Sequence, residues 1–298
     1  MQSKLRREFP LHIMLLPAVL LVFTFQYIPM IGNTMAFQHF IPAKGFFGSE
    51  WVGFDNFKYL IHLPDTFQVL FNTIYIALMK IVVGLLVPIT VALLLNEVRA
   101  EFFKRSVQTL IYLPHFLSWI ILGGILIDIL SPSTGIVNLF LKEIGIKSQF
   151  FLGDNQWFPY TLVFSNEWKE FGFNTIVYLA ALTGINPTLY EAAVIDGAGR
   201  WKQTLHITLP SILPIIVLLG TLSMGHILNA GFEQVFNLYS PQVYKSGDIV
   251  DTFVYRLGVV DAQYSVATAV GLFKSLVSFI FVSLSYFLAY RFANYRIF

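Results

Sequence analysis

Six long apolar runs govern what this chain can become: His12 to Phe37, Phe67 to Leu95, Val107 to Leu130, Pro159 to Leu182, Leu209 to Phe232 and Tyr264 to Tyr290, each bounded by charges or turn residues. A hydrocarbon core of roughly 30 Å needs about 20 helical residues at about 1.5 Å each, so every run is long enough to cross a bilayer. Composition agrees, since 56% of the 298 residues are apolar and only 12% are charged, about half the charged share usual in soluble domains. The expectation is an all-α integral membrane protein with six transmembrane helices in one domain covering residues 1–298. The first run follows Lys4, Arg6 and Arg7, but it is too long for a cleaved signal peptide and no small-residue cleavage site follows, so it should remain as an anchor.

Several chemistries drop out at once. The chain has no cysteine, which removes disulfides, thiolate metal sites and a cysteine nucleophile. Its six histidines (His12, His39, His62, His115, His206 and His226) have no His-Glu-x-x-His spacing, and no Gly-x-Ser-x-Gly elbow occurs, so neither a zinc site nor a serine hydrolase is indicated. Gly-Lys is absent, so this chain cannot cradle ATP phosphates by a P-loop. A net charge of +2 is too small to suggest nucleic acid.

Basic residues set the orientation. With the N-terminus in the cytoplasm, the inside segments hold Lys4, Arg6, Arg7, Arg99, Lys104, Arg105, Arg200, Lys202, Arg291 and Arg296, against Lys44, Lys58, Lys142, Lys147, Lys245 and Arg256 outside. Both termini are therefore expected to be cytoplasmic. Between the first two runs, Phe46, Phe47, Trp51, Phe54, Phe57 and Tyr59 read either as an interfacial aromatic belt or as a docking surface for an external protein.

One expected cytoplasmic loop, about residues 184–208, has written ends. Asn186 can cap a helix with Pro187 in its first turn, or Thr188 can cap it with Glu191 closing a capping box. Gly197 and Gly199 should stop that helix, and Pro210 marks where the next span can begin. Within the loop, Glu191, Ala192, Ala193, Gly197, Ile207, Leu209 and Pro210 form the pattern Glu-Ala-Ala, three residues, Gly, nine residues, Ile-x-Leu-Pro. This resembles the signature of permease subunits of binding-protein-dependent ABC importers. Further motifs, among them Tyr27-Ile28-Pro29-Met30, Trp51-Val52-Gly53-Phe54-Asp55-Asn56-Phe57 and Tyr112-Leu113-Pro114-His115-Phe116, resemble the carbohydrate-uptake branch, and within it the LplB/YteP-like permeases of polysaccharides or oligosaccharides.

The resemblance implies a type I importer permease fold in the bacterial plasma membrane, with an oligosaccharide substrate moved by alternating access. It implies as partners a second homologous permease subunit, two copies of a cytoplasmic ATPase and an external solute-binding protein, with membrane lipid around the spans. ATP and Mg would be bound by the ATPase and no cofactor by this chain. It assigns ATPase coupling to Glu191, Ala192, Ala193 and Gly197, with Asp196 as a further acidic partner for basic groups.

Charged groups at mid-bilayer depth are costly and tend to face a bundle interior or a wet cavity. Glu167, Glu170, Asn174 and Tyr178 fall at i, i+3, i+7 and i+11, along one helical face, where a sugar would find acceptors, an amide and an aromatic platform. The same residues could instead bond neighbouring helices. Asn229 and Glu233 form an i, i+4 pair that could join the path. Lys80 and Lys274 are expected to pair with a partner helix or to snorkel. The alternatives to sugar import are a non-sugar solute using the same coupling, or an ion-coupled secondary transporter using Glu167, Glu170 or Lys80.

Overall fold

The computed structural model describes residues 2–225 and 227–293; His226 and Arg296, read above for metal spacing and charge bias, lie outside the described residues. By contacts the chain forms two units, one running up to Leu63 and including Val254–Phe273, the other holding Pro64–Phe253 and the chain from Lys274 onward.

In the first unit, helix α1 (Gln2–Val22) continues through a π-helical turn, Phe23–Tyr27, into a 3-10 stretch, Ile28–Phe37. Every residue from Phe9 to Ile31 is exposed, an apolar surface too large for a helix facing water and the expected one for a helix facing lipid. Beyond it, β1 (Gln38–His39) pairs antiparallel with β2 (Glu50–Trp51). Ser49 Oγ closes the intervening turn by donating to Gly45 O at 2.6 Å and accepting from Ile41 N at 3.1 Å. Part of the aromatic segment packs on itself, with the Phe37, Phe54 and Phe57 rings 5.4 to 5.7 Å apart, while Phe47 and Trp51 stay exposed.

The second unit is organised by α2 (Thr66–Glu97) and α5 (Phe158–Thr183), which pack along each other. Around them lie α3 (Glu101–Tyr112), α4 (Trp119–Ile129), α6 (Pro187–Ile195), α7 (Leu209–Gly225) and α8 (Phe232–Leu238). The last helix, α9 (Tyr264–Ala293), follows. One core gathers Ile76, Phe158, Leu162, Leu228, Val235 and Ile249; another joins Ala92, Tyr178, Leu182 and Ile212.

Among the described residues, four helical stretches are long and apolar enough to cross a membrane: Phe9–Phe37, Thr66–Glu97, Arg200–Gly225 and Tyr264–Phe287. The third apolar run is not one straight helix. A 3-10 turn, Leu113–Phe116, separates α3 from α4, which meet at 105°. Pro114, without an N–H, falls in that turn, and Ser118 restarts the chain as N-cap of α4, its Oγ accepting from Ile121 N at 3.4 Å. The fourth run, α5, has the length but carries Glu167, Lys169 and Glu170.

The fifth run also differs at both ends. Helix starts at Arg200, and a π turn over Thr204–Thr208, closed by Leu209 N to Thr204 O, leads into α7. Pro210 thus sits inside a continuous helix rather than at its start, because the wide turn accommodates the missing N–H. At the far end α7 stops at Gly225, and Gly231 at φ +97° blocks helical continuation before α8. Asn229 and Glu233 therefore do not share a helical face.

Candidate functional site

A cavity of about 300 Å3 opens between α2, α5, the end of α7 and the irregular segment before α8. From α2 it receives Lys80 and Gly84, from α5 Asn166, Glu167, Glu170 and Asn174, from α7 Ser223, and from the irregular segment Asn229. The helical face read from the sequence thus brings Glu167, Glu170 and Asn174 together, and the irregular segment that ends at Gly231 adds Asn229. Tyr178, a turn further along α5, does not line this cavity; it is buried among Ala92, Leu182 and Ile212. Glu233 is exposed in the first turn of α8 and is not part of the wall. Glu167 is 6% exposed, and its Oε1 has no hydrogen-bond partner among the described residues. A buried carboxyl oxygen without a partner is costly, which marks this wall as a place where a polar ligand would gain a hydrogen bond.

Two long-range networks that the sequence did not reveal join the elements around the cavity. Lys80 donates to Ala230 O at 2.6 Å and to Gln234 Oε1. Gln234, fully buried, passes the connection on, its Nε2 donating to Leu162 O at 2.7 Å and Ser165 Oγ at 2.8 Å. One lysine and one amide therefore tie α2, the irregular segment, α8 and α5 together. The second network sits at the α3–α4 break. His115 Nδ1 lies 2.8 Å from Glu170 Oε2, Lys169 Nζ donates to His115 O at 2.5 Å, and the imidazole stacks on Phe173 at 4.1 Å. Glu170 thus faces both the cavity and the break. Gly172 permits the approach, since a Cβ there would lie 2.0 Å from Ile111 O. Lys274 is also paired, to Asp251 at 2.5 Å.

The signal loop folds as a helix with both ends secured. Asn186 Oδ1 accepts from Thr188 N at 3.1 Å, so the register with Pro187 in the first turn is the one formed. At the other end Ala198 N reaches Ala193 O at 2.8 Å and Gly197 N reaches Val194 O at 3.0 Å, with Gly197 at φ +71°. This is the paired C-terminal closure that requires a left-handed residue. Tyr190 Oη to Thr208 Oγ1 (2.9 Å), Gln203 Nε2 to Ala198 O (2.8 Å) and Arg200 to Glu97 Oε2 (2.9 Å) anchor the loop to the ends of α7 and α2. Its outer surface is uncovered: Glu191, Ala192, Asp196 and Gly197 are exposed, and Val194 and Ile195 are exposed by 64% and 86%. Ala193 is half-buried.

The chain is similar to several known proteins over nearly its whole length. Protein LplB of Bacillus subtilis (strain 168) is 41% identical over 290 residues, 97% of this chain and 91% of its own length. The polygalacturonan/rhamnogalacturonan transport system permease protein YteP of the same organism is 42% identical, covering 98% of this chain and 91% of its own. A crystal structure of a bacterial ABC transporter involved in import of the acidic polysaccharide alginate contains a chain that superposes with a TM-score of 0.91 at 40% identity, covering 98% of each chain. The corresponding chain in the complex with alginate pentasaccharide-bound periplasmic protein gives 0.90 at the same identity, over 98% of this chain and 97% of that one. Residues 84–294 match the family described as binding-protein-dependent transport system inner membrane component. On that match and these similarities, the chain belongs to that family and is an inner-membrane permease component of an ABC transporter.

Proposed function

We propose that the chain is a six-span permease, with both termini cytoplasmic, that imports an oligosaccharide or polysaccharide fragment by alternating access. The six spans are the four apolar helices, the bent pair α3–α4 taken as one, and α5, whose Glu167 and Glu170 line the cavity while Lys169 is held at the α3–α4 break. Residues 1–298 act as one permease domain. The substrate class follows from relatives whose names specify polygalacturonan, rhamnogalacturonan and alginate. The partners are a second homologous permease, two cytoplasmic ATPases carrying ATP and Mg, and an external solute-binding protein, and this chain contributes no catalytic residue.

One observation carries the coupling assignment: the loop at 184–208 is rigidly capped and anchored, yet it leaves an acidic and apolar surface uncovered. Glu191 and Asp196 offer partners for basic groups on an ATPase, and Ala192, Ala193 and Gly197 allow close approach. Arg200 and Tyr190 pass loop motion to the ends of α2 and α7. Those helices wall the cavity where Glu167, Glu170, Asn174 and Asn229 would meet sugar hydroxyls, while Tyr178 and Glu233, which do not line it, would join the path only in another state of the alternating-access cycle. Reconstitution of the chain with its partners tests this reading. Uptake should depend on ATP and on the loaded binding protein; uptake driven by an ion gradient without ATPases would contradict it.

A further inference from the structure

A second cavity, of about 650 Å3, lies where α2 and α5 begin, closed by the short helix Tyr244–Gly247. It is on the opposite side of α2 from the polar cavity. Its α2 residues are Gln68, Phe71, Asn72 and Tyr75, whereas Ala77, Lys80, Ile81 and Gly84 line the other, and at about 100° per residue the two sets point roughly 180° apart. Asn72 is already engaged, donating to the carbonyls of Lys245 (3.1 Å) and Asp248 (3.2 Å). Asn155 is likewise held by Gln242 O and Ser246 Oγ, each at 2.9 Å. Without a partner among the described residues are the Lys245 ammonium, exposed and the one charged side chain in this lining, and the Gln156 side-chain amide.

Two residues of this cup, Trp157 and Tyr160, also wall an adjoining groove of about 410 Å3 between α4 and α5. Leu126, Ile129, Leu130, Phe164 and Trp168 make it apolar. Its aliphatic hydroxyls turn back onto the backbone, Thr161 to Trp157 O at 3.0 Å and Ser165 to Thr161 O at 2.6 Å, and the Tyr160 hydroxyl lies 3.4 Å from that of Tyr75. A cup with one cation and no carboxylate thus shares an aromatic ridge with an apolar groove, at the end where two spans begin. Trp and Tyr at that depth prefer the headgroup region. A sugar would leave the groove empty, and a purely apolar partner helix would bury Lys245 without a counter-charge.

From this geometry we propose that an anionic phospholipid binds here, its phosphodiester against Lys245 and the Gln156 amide and one acyl chain in the groove between α4 and α5. The test uses the assembled importer in nanodiscs containing phosphatidylglycerol or phosphatidylcholine with a photoreactive diazirine in the acyl chain. Adducts should map to residues 126–130 and 160–168, with phosphatidylglycerol favoured about fivefold, the ratio expected for one basic residue near an anionic lipid. Lys245→Gln should abolish the preference and Lys245→Arg should keep it. The Lys245 side chain has no partner among the described residues, and its carbonyl, which holds Asn72, is unchanged, so both variants should fold; ATPase activity of the assembly checks this. Equal yields from the two lipids, or a preference unchanged in Lys245→Gln, would overturn the proposal. So would an absence of adducts in the assembled importer, which would give the groove to a partner subunit, or displacement of the lipid by a soluble acidic oligosaccharide, which would make this a sugar site.

Discussion

The loop helix α6 and the polar cavity hold their information at different distances along the chain. Each end of α6 is closed by residues within five positions: Asn186 to Thr188, and Ala193 to Ala198. The cavity is closed by contacts such as Lys80 to Gln234 and His115 to Glu170, which are 154 and 55 residues apart. The first kind of structure is carried by backbone chemistry that neighbouring residues dictate. The second depends on the packing of α2 against α5 and on the irregular segment that ends at Gly231. The loop can therefore be altered locally without disturbing the cavity, whereas a change in the cavity wall reaches several helices.

The largest expected effect is at the loop surface. Glu191→Lys should reduce sugar uptake by at least about thirtyfold, the consequence of losing roughly 2 kcal/mol or more at a charged contact, with the subunit still inserted in the membrane. Uptake assays and membrane fractionation measure the two quantities. Normal uptake in an assembly that requires this chain would remove Glu191 from coupling. Glu191→Ala should be milder, since an exposed pair is worth only about 1 kcal/mol or less.

Within the cavity wall, Lys80→Met leaves Gln234 Oε1 and Ala230 O without their donor. Each buried orphan costs about 1 to 3 kcal/mol, so thermal unfolding in detergent should shift downward by several degrees. Gln234→Leu alone should destabilise comparably, and the double variant should lose less than the sum. Strict additivity would mean that the two side chains are not one network. At the loop ends the effect should be smallest: Asn186→Ala removes a cap worth about 1 kcal/mol. Hydrogen exchange of the Glu191–Ala198 amides should quicken about fivefold, the same free energy expressed as a rate ratio, while the amides of α5 should not change.

The same contrast explains what could be read in advance. Apart from the third, the apolar runs locate long helices because burial in lipid depends on composition over about 20 residues, and both loop ends follow from cap chemistry, with Asn186 rather than Thr188 forming the cap. Hydropathy carried the fifth run on to Phe232, because Ala230 and Gly231 do not interrupt an apolar average; only the positive φ at Gly231 does. The run from Val107 to Leu130 reads as one span although Pro114 lies within it, and the break at Leu113–Phe116, bent by 105°, is held by side chains of α5, where Lys169, Glu170 and Phe173 contact His115. Lys80 was expected to find a partner, and nothing in its own neighbourhood pointed to Gln234. Tyr178 shares a helical face with Asn174 by spacing, yet it is covered by Ile212 and Ala92 from other helices, which a single helix cannot reveal.

Cysteine labelling tests most directly whether the polar cavity is a sugar path coupled to the loop. In this naturally cysteine-free chain, Asn174→Cys, Tyr178→Cys and Ile176→Cys are compared in the assembled importer with a small polar thiol reagent. The cavity position, 174, should react readily, should be protected by the transported oligosaccharide, and should change its rate when ATP is added. Position 178, 1% exposed in the structure, and position 176, on the lipid-facing side, should react slowly and ignore the sugar. Equal labelling at all three positions, or labelling at 174 indifferent to both sugar and ATP, would contradict the account and leave the polar face of α5 as a helix-packing seam.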